Sequence, residues 1–345
     1  MSAIPALKAA LLYGIEQVAT FLPTAWLQAI TQQGTLLPFY HVVSDKPLAH
    51  IRHLYAVKDS KAFVQDLDFL CTHYTPISMA QLSDAVYKGT TLPKRCFLLT
   101  FDDGLAQCHD IIAPILLQKG IPATFFLNSA FIDNQALMFR YKASLLIEEG
   151  QKQQYTLSNL APFFATASLP LGNTLAASLL AVRWQHQAIL DKIAAAWQVN
   201  FEQFLKEEQP YLTTSQIQKM QQDGFDFGSH SINHPTYHTL PLHEQIEQTT
   251  VSQAYLQEHF HIEAAYFAFP FTDFGVKKDF FEHILEQQKF QLTFGGAGIK
   301  NEKIKGHLQR LGLEGNQNST ARTLVHTAYC YYIIKAFFGK NTIQR

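Results

Sequence analysis

Two adjacent carboxylates are the first residues whose type and spacing could do chemistry. The segment FLLTFDDG places Asp102 and Asp103 directly after an apolar run and before Gly104. Neighbouring carboxylates repel and raise each other's pKa, so beside buried surface they require compensation, typically a cation. Asp-Asp-Gly is also common in solvated turns, and this pattern alone leaves both interpretations open.

A second group, in GFDFGSHSINHPTYH, places His230 and His234 four residues apart after another apolar run. At that separation two imidazoles can converge on one metal ion if the backbone turns between them. Ser231 and Asn233 are expected to supply hydrogen bonds that fix the orientation of the rings. The two later histidines are expected on the surface of the following helix: His238 and His243.

The two groups support each other. Two histidines and one aspartate form a set of three protein ligands that leaves positions open for water and substrate, as a catalytic metal requires. The other aspartate of the pair, left uncoordinated beside a metal-bound water, could then act as a general base. Together the two motifs predict a hydrolytic metal centre.

The segments TFDDG and HSINH resemble the first two motifs of the polysaccharide deacetylases, the NodB-homology family also called carbohydrate esterase family 4. The resemblance implies that Asp102 is the catalytic base. It also implies that Asp103, His230 and His234 bind a divalent metal, zinc above all, with cobalt, nickel and manganese as alternatives.

The segment YFAFPFTDFG resembles the third motif of the family through Pro270 and Phe271. The resemblance implies that the backbone N–H of Phe271 helps to hold the oxyanion of the transition state. Where the family has an arginine that orients the base, this chain has Ala268. Either another basic residue takes that role or the pocket differs. The later segment FQLTFGGAG lacks the acidic and tryptophan residues of the fourth motif and is given no catalytic role.

His41 follows the apolar run of LLPFYHVV. A core histidine bonded to a backbone carbonyl is one interpretation. The other follows from the branch that deacetylates poly-N-acetylglucosamine, in which a Tyr-His pair on an N-terminal strand supplies the catalytic acid, and FYHVVSD resembles that pair. His307 and His326 do not follow a convincing apolar strand, so His41 is the predicted acid.

The elements that position these residues alternate between short β-like runs and helical patterns, which predicts a mainly parallel α/β sheet with its active site at the carboxyl ends of the strands. The family resemblance implies a distorted (β/α) barrel of about seven strands. We expect N-terminal helices in residues 1–33, the barrel in 34–319 with a helical insertion at about 134–212, and a C-terminal helical tail in 320–345.

Composition narrows the choice of partners. With 27 basic and 28 acidic residues the net charge is −1, which argues against nucleic acid. No signal peptide is recognisable, so we expect a cytoplasmic protein, with the inner face of the membrane as an alternative. The N-terminal segment has apolar residues at helical spacing, suited to packing or to peripheral membrane association: Leu7, Leu11, Leu12, Ile15 and Val18.

The expected function is metal-dependent hydrolysis of the N-acetyl group of an amino sugar in a polysaccharide or a saccharide precursor. The metal would polarise the carbonyl and the bound water, Asp102 would accept the proton of the water, and His41 would protonate the leaving amine. A deformylase or deacetylase of a lipid-linked amino sugar is one alternative, and a non-catalytic glycan-binding relative is another. The sugar, its linkage and the oligomeric state remain open.

Overall fold

The computed structural model describes residues 14–16, 18–316 and 319–345. Three of the predicted apolar positions of the N-terminal segment, Leu7, Leu11 and Leu12, lie outside the described residues. The described strands, in chain order, are β1 (Thr35–Leu36), β2 (Pro38–Tyr40), β3 (Thr75–Pro76), β4 (Cys96–Phe97), β5 (Leu99–Phe101), β6 (Ala123–Leu127), β7 (Asp226–Ser229), β8 (Tyr266–Ala268), β9 (Leu292–Gly295), β10 (His307–Gln309) and β11 (Leu311–Gly312).

The main sheet is parallel throughout and runs in the order β10-β9-β8-β7-β6-β5-β2-β11. Its two edges belong to one continuous segment of chain, because β10 and β11 are separated by Arg310 alone. The backbone N–H of Arg310 donates to the carbonyl of Gly295 in β9 (3.1 Å), and that of Leu311 donates to Leu37 beside β2 (2.8 Å). The last strand therefore closes the sheet into a seven-stranded barrel, which confirms the predicted fold.

The barrel strands are apolar because helices cover their outer faces while the barrel interior buries the other face. All five residues of β6, Ala123–Leu127, are buried. Phe101 of β5 stacks on Phe125 of β6 with ring centroids 4.9 Å apart. A small parallel sheet, β1-β4-β3, extends the barrel at the amino ends of two strands.

The α-helices surround this sheet, and their ends carry local capping signals. The described helices are α1 (Thr24–Thr31), α2 (Ser60–His73), α3 (Met79–Lys88), α4 (Ala113–Lys119), α5 (Phe139–Lys152), α6 (Leu157–Thr166), α7 (Leu175–Ala181), α8 (Ala188–Trp197), α9 (Phe201–Glu208), α10 (Thr214–Gln222), α11 (Leu242–Phe260), α12 (Lys278–Phe281) and α13 (Ala321–Phe337). Asp59 caps α2 by accepting from the Ala62 N–H, and Ser78 and Gln81 form a capping box on α3.

Helices α5–α9 lie between β6 and β7, where the sequence predicts the helical insertion. Their buried apolar side chains, such as Leu146, form one cluster with residues of the loops after β2 and β5, among them Val42 and Leu105. Helix α10 returns to the barrel, since Ile217 and Met220 belong to the cluster around the barrel strands. The insertion therefore packs on the loops at the carboxyl end of the barrel.

The N-terminal and C-terminal segments pack against each other. The imidazole of His326 in α13 bonds to the Thr24 hydroxyl at the start of α1 (2.8 Å) and to the Ala19 carbonyl (3.0 Å). These bonds make His326 a buried histidine that joins the two segments, and it does not line the cavity of the catalytic candidates. Within the residues that the structure describes, no helix is long and apolar enough to cross a membrane.

Candidate active site

The residues singled out by the motifs follow the carboxyl ends of four barrel strands. His41 comes directly after β2, Asp102 and Asp103 follow β5, His230 follows β7, and Phe271 lies three residues beyond β8. Parallel strands of a barrel end on one rim, so side chains that are far apart in sequence face one cavity. The structure brings all of these side chains to that cavity.

Asp103, His230 and His234 converge as a set of three metal-ligand types. The Oδ1 atom of Asp103 lies 3.1 Å from Nε2 of His234 and 3.5 Å from Nε2 of His230. One ligand atom from each residue falls within 4.8 Å of the others, and all three residues are buried. Because two imidazole nitrogens and one carboxylate oxygen suit zinc and related cations, this donor set fits a divalent metal.

The orientation of His230 is fixed from the neighbouring strand. Its Nδ1 atom bonds to the carbonyl oxygen of Ala268 (2.8 Å), which leaves Nε2 pointing at Asp103. Burial lowers the pKa of His230 to about 4, so the ring is neutral and able to act as a ligand at neutral pH. Ala268, at the position where the family has an arginine, thus orients His230 through its backbone carbonyl.

The prediction that Ser231 and Asn233 orient the two rings is wrong. The Ser231 hydroxyl accepts from the backbone N–H of His234 (3.0 Å) and stabilises the turn between the two histidines. Among the described residues, Oδ1 of Asn233 and Nδ1 of His234 have no hydrogen-bond partner. The Ser231 hydroxyl therefore serves the loop, and neither side chain bonds to an imidazole. His238 and His243 are exposed, as expected.

The carboxylate of Asp103 is held from the insertion. The Tyr141 hydroxyl of α5 donates to Oδ2 of Asp103 (2.8 Å), while Oδ1 has no hydrogen-bond donor among the described residues. Burial opposes ionisation, but the imidazoles of His234, His41 and His230 lower the pKa of Asp103 well below its ordinary value. A buried anionic oxygen without a donor, facing two imidazole nitrogens, is what a bound cation would satisfy.

The loops of the site adopt backbone conformations that side chains rarely tolerate. Asp103, Ser231, His234 and Phe271 have φ angles of 70°, 74°, 62° and 57°. Left-handed conformations of residues other than glycine cost free energy and persist only where the surrounding structure enforces them. The turn after Asp103 also requires Gly104, since a Cβ atom there would lie 2.9 Å from a Leu127 methyl group.

Asp102 is held by an arginine that lies 208 positions later in the chain. The guanidinium of Arg310 donates two hydrogen bonds to Asp102, from Nη1 to Oδ1 and from Nη2 to Oδ2, both 2.7 Å long. Nη1 also donates to the Thr100 hydroxyl (3.0 Å). Burial alone would raise the pKa of Asp102, but Arg310 lowers it and keeps the carboxylate ionised. Asp102 is therefore fixed by Arg310, although the chain has Ala268 at the position of the family's arginine.

His41 forms a pair with Glu314, which follows β11. Nδ1 of the imidazole lies 2.7 Å from Oε2 of Glu314, and the backbone N–H of His41 donates to Oε1 (2.7 Å). Tyr55 stacks against the other side of the ring at 4.9 Å between centroids. Burial favours the neutral ring, but Glu314, Asp103 and Asp102 raise the pKa of His41 to about 10. The imidazole is therefore protonated at neutral pH.

Pro270 and Phe271 lie where the chain leaves β8. The ring of Phe271 is 4.4 Å from that of His234 and is 48% exposed, so it forms part of the mouth of the cavity. Pro270 is buried and its carbonyl accepts from the Thr272 N–H (2.6 Å), which holds the loop in a tight turn. Pro270 shapes this loop without lining the cavity.

The cavity that joins these residues has a volume of about 250 Å³. Barrel loops form its floor, and residues of the insertion and of the loop after β2 form its walls. Its lining consists of Phe39, His41, Leu54, Tyr55, Asp102, Asp103, Met138, Arg140, Tyr141, His230, His234, Phe269, Phe271, Gly296 and Arg310.

Sequence reasoning missed Arg310, Glu314 and Tyr141. Arg310 and Glu314 lie in HLQRLGLEG, where apolar residues occur at intervals, a weak signal for a strand. His307 begins β10 and therefore does not follow a strand. It stays out of the cavity, since its Nε2 atom bonds to Asp273 (3.1 Å).

A parallel barrel of this kind, with an aspartate beside an Asp-His-His set of candidate metal ligands, has the groups that a hydrolase with a metal site requires. The family model for polysaccharide deacetylase matches residues 89–292, more than half of the chain. The chain belongs to the polysaccharide deacetylase family and is classed with it among the hydrolases that act on N-acetylated amino sugars. The matched region includes Asp102 and both histidines of the set but neither His41 nor Arg310.

Solved structures share this fold at low sequence identity. The chain is similar to the deacetylase PplD of Streptococcus pyogenes, solved with acetate, at 16% identity and a TM-score of 0.53, covering 85% of this chain and 97% of that one. It is also similar to a de-N-acetylase from Aggregatibacter actinomycetemcomitans at 18% identity and a TM-score of 0.53, covering 85% and 99%. IcaB of Ammonifex degensii aligns at 16% identity and a TM-score of 0.50, covering 86% and 97%. A search of curated protein sequences finds no match.

Proposed function

We propose that the chain is a metal-dependent deacetylase that hydrolyses the N-acetyl group of an amino sugar in a saccharide. The observation that carries this proposal is the convergence, around one cavity, of a buried Asp-His-His set with an ionised aspartate and a protonated histidine. Amide hydrolysis needs the same three functions: activation of water and carbonyl, a base, and an acid. The names of the similar solved structures, a deacetylase and a de-N-acetylase among them, point the same way.

Asp103, His230 and His234 would hold the cation. A divalent metal there, with zinc the first candidate, would polarise the acetamide carbonyl and make water more acidic. Asp102 is placed to accept a proton from that water, because Arg310 keeps the carboxylate ionised and fixed. Each oxygen of Asp102 still has a lone pair free of the guanidinium.

His41 would deliver the proton that the leaving nitrogen requires. An amine is a poor leaving group unless it is protonated, so the acid matters as much as the base. Glu314 supports this role in two ways, since it orients the ring through Nδ1 and keeps the ring protonated at neutral pH. Nε2 is then the atom that faces the cavity with a proton to give.

The backbone N–H of Phe271 is the proposed donor to the developing oxyanion. The left-handed conformation of Phe271, with a φ of 57°, turns the chain at the cavity mouth, where a backbone N–H can face the reacting carbonyl. Charge on that oxygen appears only in the transition state, so a preoriented donor stabilises it selectively. The Phe271 ring lies beside His234 and lines the mouth of the cavity.

The proposal is tested by metal analysis of the purified protein together with product release. Acetate and formate would be measured across N-acetylated, N-formylated and O-acetylated saccharides, which separates a deacetylase from a deformylase of a lipid-linked amino sugar. Asp102→Asn and His41→Ala should keep the metal and lose about 100- to 10,000-fold in turnover. His234→Ala should lose the metal.

A glycan-binding protein that has kept the barrel is the alternative of a different class. The protein would then bind saccharides without bound metal and without releasing acetate or formate. The ionised Asp102 beside the Asp-His-His set favours the enzyme, because a binding module has no use for a base held by its own arginine. If His41→Ala keeps normal turnover, the protein is an enzyme but His41 is not its catalytic acid.

A further inference from the structure

Arg140 is a cation in the catalytic cavity that the proposed reaction does not use. It lies in the first turn of α5, next to Tyr141, and lines the cavity with the catalytic residues. Its Nη1 group donates to the carbonyl of Leu180 in the insertion, and its guanidinium carbon is 6.0 Å from the centre of the Phe139 ring. These contacts orient the side chain without supplying a negative charge.

The other cationic groups that line the cavity each have an acidic partner. Arg310 is bonded to Asp102, and His41 is bonded to Glu314. Among the described residues, no carboxylate lies within ion-pair distance of Arg140. Arg140 is half-buried, and burial lowers its pKa because no anion offsets the loss of water.

The charge balance of the cavity favours an anion. The pair of Asp102 with Arg310 is neutral, and so is the pair of His41 with Glu314. With a divalent cation, Asp103 leaves one positive charge in the metal set, and Arg140 adds another. Within the part of the chain that the structure describes, only one of the five N–H donors of Arg140 has an acceptor, and the guanidinium matches the paired oxygens of a phosphate or carboxylate.

We propose that Arg140 binds an oxyanion, a phosphate or a carboxylate, carried by the substrate beside the acetylated sugar ring. The preferred substrate is then an anionic N-acetylated saccharide. This inference rests on the proposed deacetylase function and adds the substrate class. It also gives the helical insertion a role, because α5 brings both Arg140 and Tyr141 to the cavity.

The experiment compares three acetylated substrates: N-acetylglucosamine 1-phosphate, a disaccharide of N-acetylglucosamine and glucuronate, and neutral di-N-acetylchitobiose. Acetate release would be measured for the wild type, Arg140→Gln and Arg140→Lys. Arg140→Gln should lower kcat/KM about 10- to 100-fold for whichever anionic substrate is recognised, mainly through KM, and change the neutral one less than twofold. The kcat/KM of Arg140→Lys for the anionic substrate should lie between those of the wild type and Arg140→Gln, since lysine keeps the charge but lacks the paired donors of the guanidinium. The two anionic substrates tell phosphate from carboxylate.

Arg322→Gln is the matched control. Arg322 also donates to one backbone carbonyl, that of Thr20, but it lies on α13 and does not line the cavity. It should leave all three substrates unaffected. Equal losses on neutral and anionic substrates in Arg140→Gln, or no preference of the wild type for an anion, would overturn the inference.

Calorimetric binding of the same three saccharides separates this inference from the proposed function. If the wild type binds an anionic saccharide, Arg140→Gln does not, and no acetate is released, the proposed function fails while the oxyanion site stands. Acetate release from the neutral substrate alone, with no binding of either anionic one, keeps the function and overturns the site. Absence of both binding and release overturns both.

Discussion

Of the carboxylates that raise the pKa of the His41 imidazole, Glu314 has the largest effect. Because Glu314 raises the pKa of His41 towards 10, turnover should fall only as the pH rises through that range. Glu314→Gln removes the negative charge, so the pKa of His41 should drop and the basic limb of the pH profile should move to lower pH by about one unit or more. The profile of kcat against pH measures this shift.

The control for this change is Glu148→Gln. Glu148 also faces an imidazole, that of His53, but the pair does not line the cavity. Its loss should leave the basic limb where it is. A basic limb that stays in place in Glu314→Gln would mean that His41 is not the group that must be protonated.

Tyr141 is expected to tune the metal site through one hydrogen bond. Tyr141→Phe removes the donor to Oδ2 of Asp103 and keeps the ring. Groups that orient a ligand typically contribute about 10- to 100-fold in metal affinity, so competition with a chelator should show a loss of at least about 10-fold. Tyr74→Phe, which removes a buried hydroxyl bonded to Tyr329 outside the cavity, should retain the metal affinity of the wild type.

At the scale of elements, the strand that closes the barrel also positions the base. Arg310 connects β10 to β11, and its side chain crosses to Asp102 beyond β5. Arg310→Met should lower the free energy of unfolding by about 3–5 kcal/mol, since it leaves a buried carboxylate unpaired. Chemical denaturation measures the loss.

A double variant tests whether that loss comes from the ion pair. In Asp102→Asn with Arg310→Met no unpaired charge remains, so the double variant should be less destabilised than the sum of the two single variants. Strict additivity would show that Arg310 stabilises the barrel through its contacts with Phe39, Phe126 and Phe294 alone.

The N-terminal segment presents apolar side chains that the rest of the described chain leaves uncovered. Phe21 is 85% exposed, and Trp26 and Ile30, one turn apart on α1, are 51% and 47% exposed. We propose that this face contacts a lipid surface, where a tryptophan and aliphatic side chains insert at the headgroup boundary. Phe21→Glu with Trp26→Glu should abolish co-sedimentation with vesicles that contain anionic lipid. Leu117→Glu, at an exposed apolar residue of α4, should not, and equal loss in both would refute this face.

At the scale of the whole molecule, the end of the chain is fastened to the loop that carries Phe271. The Arg345 guanidinium pairs with Asp273 and donates to Oε2 of Glu302 (2.9 Å), so it fills the cluster that these two acids form with His307. Its side chain is 6% exposed. Asp273 lies two residues beyond Phe271, which links this cluster to the mouth of the cavity.

Arg345→Ala should therefore affect both stability and substrate binding. We expect a loss of about 3 kcal/mol in the free energy of unfolding and a higher KM, because two buried carboxylates lose their cation. Burial opposes ionisation of Asp273, but its bonds to His307 and Arg345 lower its pKa, so this stabilisation is present above the ordinary aspartate pKa and is lost as the pH falls. The difference from the wild type should shrink in acid. Lys340→Ala, at an exposed position, should change neither quantity.

The sequence by itself determined the features whose residues are contiguous. TFDDG and HSINH each place their polar groups directly after a buried strand, and alternation of strands with helices predicts a mainly parallel sheet whose strands end on one edge. Local order along the chain is enough to predict that the Asp102–Asp103 pair meets His230 and His234, and the family resemblance selects Asp103 as the ligand.

Only the tertiary structure decided what holds those groups in place. Arg310 lies 208 positions from Asp102, Glu314 lies 273 positions from His41, and Tyr141 reaches Asp103 from an inserted helix. None of these partners belongs to a local pattern, because each pairing depends on where the barrel closes and how the insertion packs. In the sequence, a charged or hydroxyl side chain cannot be told from a surface residue. Once the fold buries it away from water, it must bond to the partner that the fold places beside it.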